Sequence, residues 1–183
     1  MIAYIICESR SDIQILQAIL PKQLLKEVEF VAAGGISSVT SLARSIVVRR
    51  QVPVAIVVDA DSTVPELVQM RTNSLTEIVE SVSVNTPVKV ILFIPAIEAI
   101  FLQDYQLLSR LLGYNPSQNE LTLVSSPPIK ILKQLIAKSE KVSNIAHFVN
   151  KLSDEDIETL RNTSAIQELI CFLQAVREPI EAL

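Results

Sequence analysis

The sequence predicts an α/β fold: a four-stranded parallel Rossmann-like sheet with flanking helices and a helical C-terminal extension. Three observations carry this. Apolar runs at Ile2–Cys7, Val28–Ala33, Val54–Val58 and Val88–Ile94 are separated by helical stretches, the alternation of a parallel sheet with right-handed crossovers. The third run is apolar without a break, as in a strand buried on both faces. Beyond Glu98 the strand–helix alternation stops and mainly helical stretches follow.

Each element has its own signals. The first strand ends at Glu8, and Ser9-Arg10-Ser11 gives the turn. Ser11 or Asp12 then caps a helix that carries Ile13, Leu16, Ile19 and Leu20 to Pro21. The second strand breaks at Gly34-Gly35, after which Ser37 or Ser38 opens a helix with Val39, Leu42, Ala43, Ile46 and Val47 inward. Pro53 precedes the third strand. After it, Thr63-Val-Pro-Glu66 fits a capping box, and Ser74-Leu-Thr-Glu77 a second one that leads a helix to about Val84. The fourth strand closes at Pro95. Ile97–Leu112 reads as one helix ending at Gly113, and 115–126 as irregular with a short extended piece at 121–124. Helices are expected near 129–141, 144–151, 154–161 and 164–176, the third opening on the acids of Ser153-Asp-Glu-Asp156, where the macrodipole favours them. The expected division is an α/β domain at 1–104 and a helical extension at 105–183 packed on it.

Composition narrows the function. With 183 residues, 49% of them hydrophobic, the chain can bury one sizeable core. No apolar stretch approaches the ~20 residues that span a bilayer, and the first residues run straight into a strand without a basic leader, so a cytoplasmic protein is expected. Cys7 and Cys171 are far apart, fit no metal spacing and read as reduced core thiols. The single histidine, His147, sits in a polar stretch without an evident partner, which argues against histidine metal clusters and a Ser/His/Asp triad. With glycine only at 34, 35 and 113, a glycine-rich nucleotide cradle is unsupported. A net charge of −4 argues against binding nucleic acid by bulk electrostatics alone.

The chemistry concentrates at strand ends. Asp59 and Asp61 close the third strand, and side chains i and i+2 of an extended chain leave on the same side. They are therefore expected to converge, the plain alternative being that both cap the next turn. If the first and third strands are neighbours, as in a doubly wound sheet, Glu8 joins them at the carboxyl edge. Three carboxylates in one crevice repel one another, and hard oxygen donors of this kind suit Mg²⁺ or Mn²⁺.

Glu8 after the first strand, Gly34-Gly35 after the second and Asp59-Ala-Asp61 after the third resemble the TOPRIM domain of topoisomerases, primases and overcoming-lysogenisation-defect (OLD) nucleases. The resemblance covers about residues 1–104. Glu8-Ser-Arg-Ser-Asp12 is similar to the ExxxD form of the OLD branch, and Ile94-Pro-Ala-Ile-Glu98-Ala is similar to that branch too. The resemblance implies Mg²⁺-dependent phosphodiester cleavage or phosphotransfer on DNA or RNA. Asp59 and Asp61 would be metal ligands and Glu8 a ligand or general acid/base. Asp12 and Glu98 are candidates for a second metal; for Asp12 helix capping, and for Glu98 a plain helix N-terminal placement, stand beside that role. The ATPase domain of OLD proteins, a topoisomerase tyrosine module and the primase zinc motif are all missing. A non-catalytic binding subunit that works with a partner ATPase or nucleic acid is therefore the alternative.

Lys130, Lys133, Lys138 and Lys141 fall within one arc of a helix starting near Ile129, opposite Leu132, Leu135 and Ile136. This face either tracks a phosphate backbone or is a solvated face opposite a core stripe. Arg44, Arg49 and Arg50 add to it if their helix is turned the same way. Aromatics at 4% argue against base stacking. A receiver-like phosphoacceptor lacks its acidic pair and terminal lysine, and the chain is short for a sugar-nucleotide transferase. Oligomerisation is left open.

Overall fold

The computed structural model describes residues 1–121 and 127–177. Four strands, β1 (Ala3–Cys7), β2 (Val28–Ala32), β3 (Val54–Asp59) and β4 (Val88–Phe93), form one sheet in the order β2-β1-β3-β4. All pairings are parallel, with Cys7 level with Val57 and Asp59 level with Phe93. The expected α/β class and the adjacency of the first and third strands are both observed.

The period-two alternation of a strand divides the core into two layers. Tyr4, Ile6, Val54, Ile56, Val58 and Val90 pack on α3 (Ile36–Arg50) and α4 (Pro65–Glu80) through Val39, Ala43, Ile46, Val47, Leu75 and Val79. Ala3, Ile5, Cys7, Ala55, Val57, Ile91 and Phe93 face the opposite way, onto α1 (Arg10–Ile19) and the C-terminal helices. That layer continues through Phe101, Leu132, Phe148 and Leu173, with Phe101 and Phe148 edge to face at 5.2 Å. The short α2 (Lys22–Leu25) links α1 to β2.

Past β4 come α5 (Ala99–Leu102), α6 (Tyr105–Leu112), α7 (Gln118–Leu121), α8 (Pro128–Lys138), α9 (Ile145–Val149), α10 (Asp154–Arg161) and α11 (Ser164–Arg177). The single helix expected at 97–112 is two, because Asp104 accepts from the Leu107 amide at 2.9 Å and starts a new helix. Leu121 closes α7; the rest of the extended piece expected at 121–124 lies outside the described residues. Arg161 on α10 donates from Nε to the Ile19 carbonyl at 2.6 Å, and Arg177 on α11 pairs with Glu27, so the last helices are tied to the first crossover.

Several expected helix starts differ. Ser9, not Ser11 or Asp12, caps α1, with Asp12 at the third helical position closing a capping box. Gly35 stands at the N-cap of α3. Neither box expected after β3 forms: Val64 precedes Pro65 at the first helical position, and α4 runs through Ser74 unbroken to Glu80. A sequence matching a capping box is also tolerated inside a helix when, as with Leu75 and Val79, the next turn buries apolar side chains. Cys171 is exposed, because Leu169, Ile170 and Leu173 take the inward face of α11; Cys7 is buried, and both thiols are free. His147 does have a neighbour, with Nδ1 3.3 Å from Ser143 Oγ. Among the described residues no helix is long and apolar enough to cross a membrane.

Candidate functional site

The carboxyl edge of β1 and β3 is where the acids gather. Since Cys7 is level with Val57, Glu8 leaves β1 one step before Asp59 ends β3. Asp59 Oδ1 accepts from the Ile97 amide at 2.9 Å, which fixes its carboxyl against the segment after β4. Burial pushes the Asp59 carboxyl up to about 7, with the charges of Glu98, Asp12 and Glu8 adding to the effect and the Ile97 amide opposing it.

Asp61 does not follow the extended geometry that would aim it alongside Asp59. Strand β3 has ended, Asp61 takes left-handed backbone at φ 55°, and its amide donates to the Pro95 carbonyl at 2.9 Å. Its side chain is 67% exposed and meets Arg71 instead, Oδ2 lying 3.0 Å from Nη2. The same nitrogen stands 3.8 Å from Glu8 Oε1. Thus one guanidinium, from the middle of α4, bridges the acid after β1 and the second acid after β3. Burial raises the Glu8 carboxyl; Arg71 opposes this, Asp61 adds to it, and the Asp59 amide and Asp12 act in smaller measure.

Arg71 is the residue that sequence reading misses. Its only sequence mark is a charge on a helix whose neighbours Val68 and Thr72 turn toward β4, and nothing local links it to Glu8.

Asp12 and Glu98 approach from the other layer. Asp12 accepts from the Ser9 amide at 2.9 Å and from Ser9 Oγ at 2.6 Å; its capping role is therefore realised. It also lies near enough to raise the Cys7 thiol, already pushed well above its ordinary value by burial, with Asp59 adding from the other side. Glu98 precedes α5 but caps nothing through its side chain. It is 2% exposed, and its Oε2 is buried without a hydrogen-bond partner. Burial raises the Glu98 carboxyl; its own amide opposes the rise, Asp12 adds to it and Lys133 opposes it.

The four lysines do not share one surface. Helix α8 ends at Lys138, so Lys141 lies beyond it, with its aliphatic stem over the Cα of Gly113. Lys138 Nζ is 2.6 Å from Glu120 on α7. Lys130 is exposed on the first turn of α8. Only Lys133 turns to the acids, and it also lines a cleft of about 490 Å³ with Ser11, Gln14 and Asn144 between α1, α8 and α9.

Among the described residues no three His, Cys, Asp or Glu side chains stand together as a ready-made metal cluster. The donor set nonetheless fits a hard divalent cation. All the candidates are carboxylates, those of Glu8, Asp59 and Glu98 are raised by burial and by the charges of neighbouring acids, Asp12 acting on all three, and Glu98 Oε2 lacks a partner. Arg71 supplies the positive charge for two of them in this arrangement.

The chain matches no protein-family model and no curated protein sequence. Its fold is similar to that of the C-terminal region of the OLD protein of Xanthomonas campestris pv. campestris, seen in two solved structures. For the one phased with iodine the TM-score is 0.52 at 16% identity, covering 96% of this chain and 95% of that one. For the one phased with platinum the values are 0.53, 14%, 96% and 94%. The likeness therefore spans the sheet and the C-terminal helices together, and it establishes an OLD-related fold.

Proposed function

We propose that this protein cleaves or transfers nucleic-acid phosphodiesters with the help of Mg²⁺ or Mn²⁺, in the manner of the OLD-type TOPRIM nucleases that its strand-end acids resemble. The observation that carries the reading is the meeting of Glu8, Asp59, Asp12 and Glu98 at one sheet edge, where Asp12 raises the proton affinity of the other three and Glu8 and Glu98 raise that of Asp59. Acids so placed are costly unless a cation compensates them. The likeness of the whole fold to an OLD C-terminal region supports the same reading.

In this proposal Glu8, Asp59 and Asp61 hold one cation, and Asp12 and Glu98 serve a second. When bound, the cation polarises a phosphoryl oxygen and lowers the pKa of its water. The remaining work falls to the chain. The Ile97 amide holds Asp59 in place, and the Ser9 capping box fixes Asp12 at the start of α1. Lys133, whose charge acts on Glu98 and which lines the cleft, would meet a phosphate there. Alternatively to holding the cation, Glu8, half-buried and with its proton affinity raised by burial, would serve as the group that accepts and returns a proton. The double variant Asp59→Asn/Asp61→Asn is expected to lose at least about a hundredfold of any Mg²⁺- or Mn²⁺-dependent cleavage. Unchanged cleavage of single- and double-stranded DNA and RNA would end the proposal.

A second reading is favoured by the Arg71 contacts, which neutralise two of the acids without any metal. Here the chain is a non-catalytic subunit that joins a partner ATPase or nucleic acid. Co-purification with such a partner, together with no cleavage by the isolated chain in either metal, is its expected signature.

A further inference from the structure

We propose that Arg71 is a displaceable counter-cation: its guanidinium holds the place between Glu8 and Asp61 that a divalent cation takes, and cation binding expels it. The inference rests on the cation reading above and concerns a residue to which that reading gives no part.

Four features of the contact support displacement over a permanent structural pair. A single nitrogen, Nη2, serves both acids, at 3.0 Å to Asp61 and 3.8 Å to Glu8. Neither contact is the parallel two-point fork that makes an arginine–carboxylate pair strong. The Nε–H of the same guanidinium is buried and has no partner, so the docked position leaves a polar group unsatisfied that a swing into water would satisfy. The Arg71 side chain is 27% exposed and that of Asp61 67%, so the exit is open to solvent. Finally, Asp61 is kept in left-handed backbone by the Pro95 carbonyl. A non-glycine residue held there is a feature that clusters at ligand sites and switches.

Charge decides the direction of exchange. A doubly charged ion attracts the same two carboxylates about twice as strongly as a guanidinium does at equal distance. It also holds them without needing the side chain of α4 to stay extended. Binding of Mg²⁺ and docking of Arg71 are then mutually exclusive, and each weakens the other by the same factor.

The test uses the full chain, Mg²⁺ alone as the probe, and two independent readings. Calorimetry compares wild type with Arg71→Gln and Arg71→Lys. Removal of the competing charge is expected to tighten Mg²⁺ binding about tenfold or more in Arg71→Gln, with Arg71→Lys between. In wild type, the Arg71 Nε–H cross-peak in a nitrogen–proton spectrum is expected to move to the free-arginine position during the titration and to exchange faster with water. The second reading needs no variant, so a misfolded Arg71→Gln protein does not block the answer. If wild type binds Mg²⁺ while the Arg71 signal stays put, or if a folded Arg71→Gln protein binds no tighter, the displacement idea is wrong and the cation reading survives. If neither protein binds Mg²⁺ at millimolar concentration, the cation reading fails and takes this inference with it.

Discussion

Two helices of this chain begin with the same device. At the start of α1, Ser9 caps the helix and Asp12 reaches back, with the Ser9 amide 2.9 Å from its carboxylate. At the start of α10, Ser153 and Asp156 repeat the arrangement, with the corresponding bond at 2.7 Å. Both aspartates are 9% exposed. Their surroundings differ. Asp156 faces the guanidinium of Arg110, and its Ser153 and Arg110 hydrogen bonds outweigh burial to hold its carboxyl below the ordinary value. Asp12 faces Cys7, Asp59 and Glu98, and raises the proton affinity of all three. The lesson is that an identical local motif is a structural pin where an arginine answers it, and part of an electrostatic site where only other acids do.

The contrast can be broken most forcefully at α10. Asp156→Ala removes the back-bond to Ser153 and strands Arg110, and should cost about 2–3 kcal/mol in urea unfolding at pH 7. Because the Asp156 carboxyl lies below its ordinary 3.8, the charged form is favoured in the fold. Its contribution is present above that pH and is lost as pH falls through the lower folded value, so the deficit should narrow in acid. Mg²⁺ binding should be untouched; a weakened affinity would mean that α10 belongs to the site.

A smaller effect of opposite sign is expected at Asp59. Its carboxyl moves from 3.8 to about 7 on folding, so the folded state holds its proton more tightly and stability falls as pH rises across that interval. Asp59→Asn keeps an acceptor for the Ile97 amide and removes the charge. Discounted for partial exposure, the metal-free variant should be about 1–2 kcal/mol more stable than wild type at pH 8 and should lose that advantage toward pH 4. A variant less stable at every pH would show that Asp59 is a pin like Asp156.

The smallest change sharpens the comparison directly. Asp12→Asn keeps one oxygen for the Ser9 amide and puts an amide group where the second oxygen accepted from Ser9 Oγ, so that Ser9 Oγ can accept instead, and stability should shift by less than about 1 kcal/mol. With one negative charge gone, the Asp59 and Glu98 carboxyls should titrate at lower pH in carboxyl-carbon NMR. Unmoved titrations would separate Asp12 from the acid crevice.

The sheet was legible because uninterrupted apolar runs such as Val54–Val58 leave few alternatives, and parallel crossover rules then set β1 beside β3. Glu8 and Asp59 followed from that order alone. Asp61 did not, since the strand periodicity that aims it beside Asp59 ends with β3 at Asp59 and Asp61 takes left-handed backbone. The lysine arc needs a helix that reaches Lys141, whereas α8 stops at Lys138, where Ser139 Oγ bonds back to the Leu112 carbonyl. Arg71 was invisible for a deeper reason. Its partners come from β1 and from the turn after β3, and only the packing of α4 on the sheet brings them together.

The bond from Arg161 to the Ile19 carbonyl has a consequence for how the acid constellation would come apart. It fastens the far end of α1, whose near end carries Asp12, to a helix that lies 142 positions later in the chain. A protease nick in the helical half, or mild heating that frays it, would release that anchor and let α1 slide while the strands stay paired. Loss of the acid constellation would then come before loss of the fold, in a preparation whose circular dichroism is still intact.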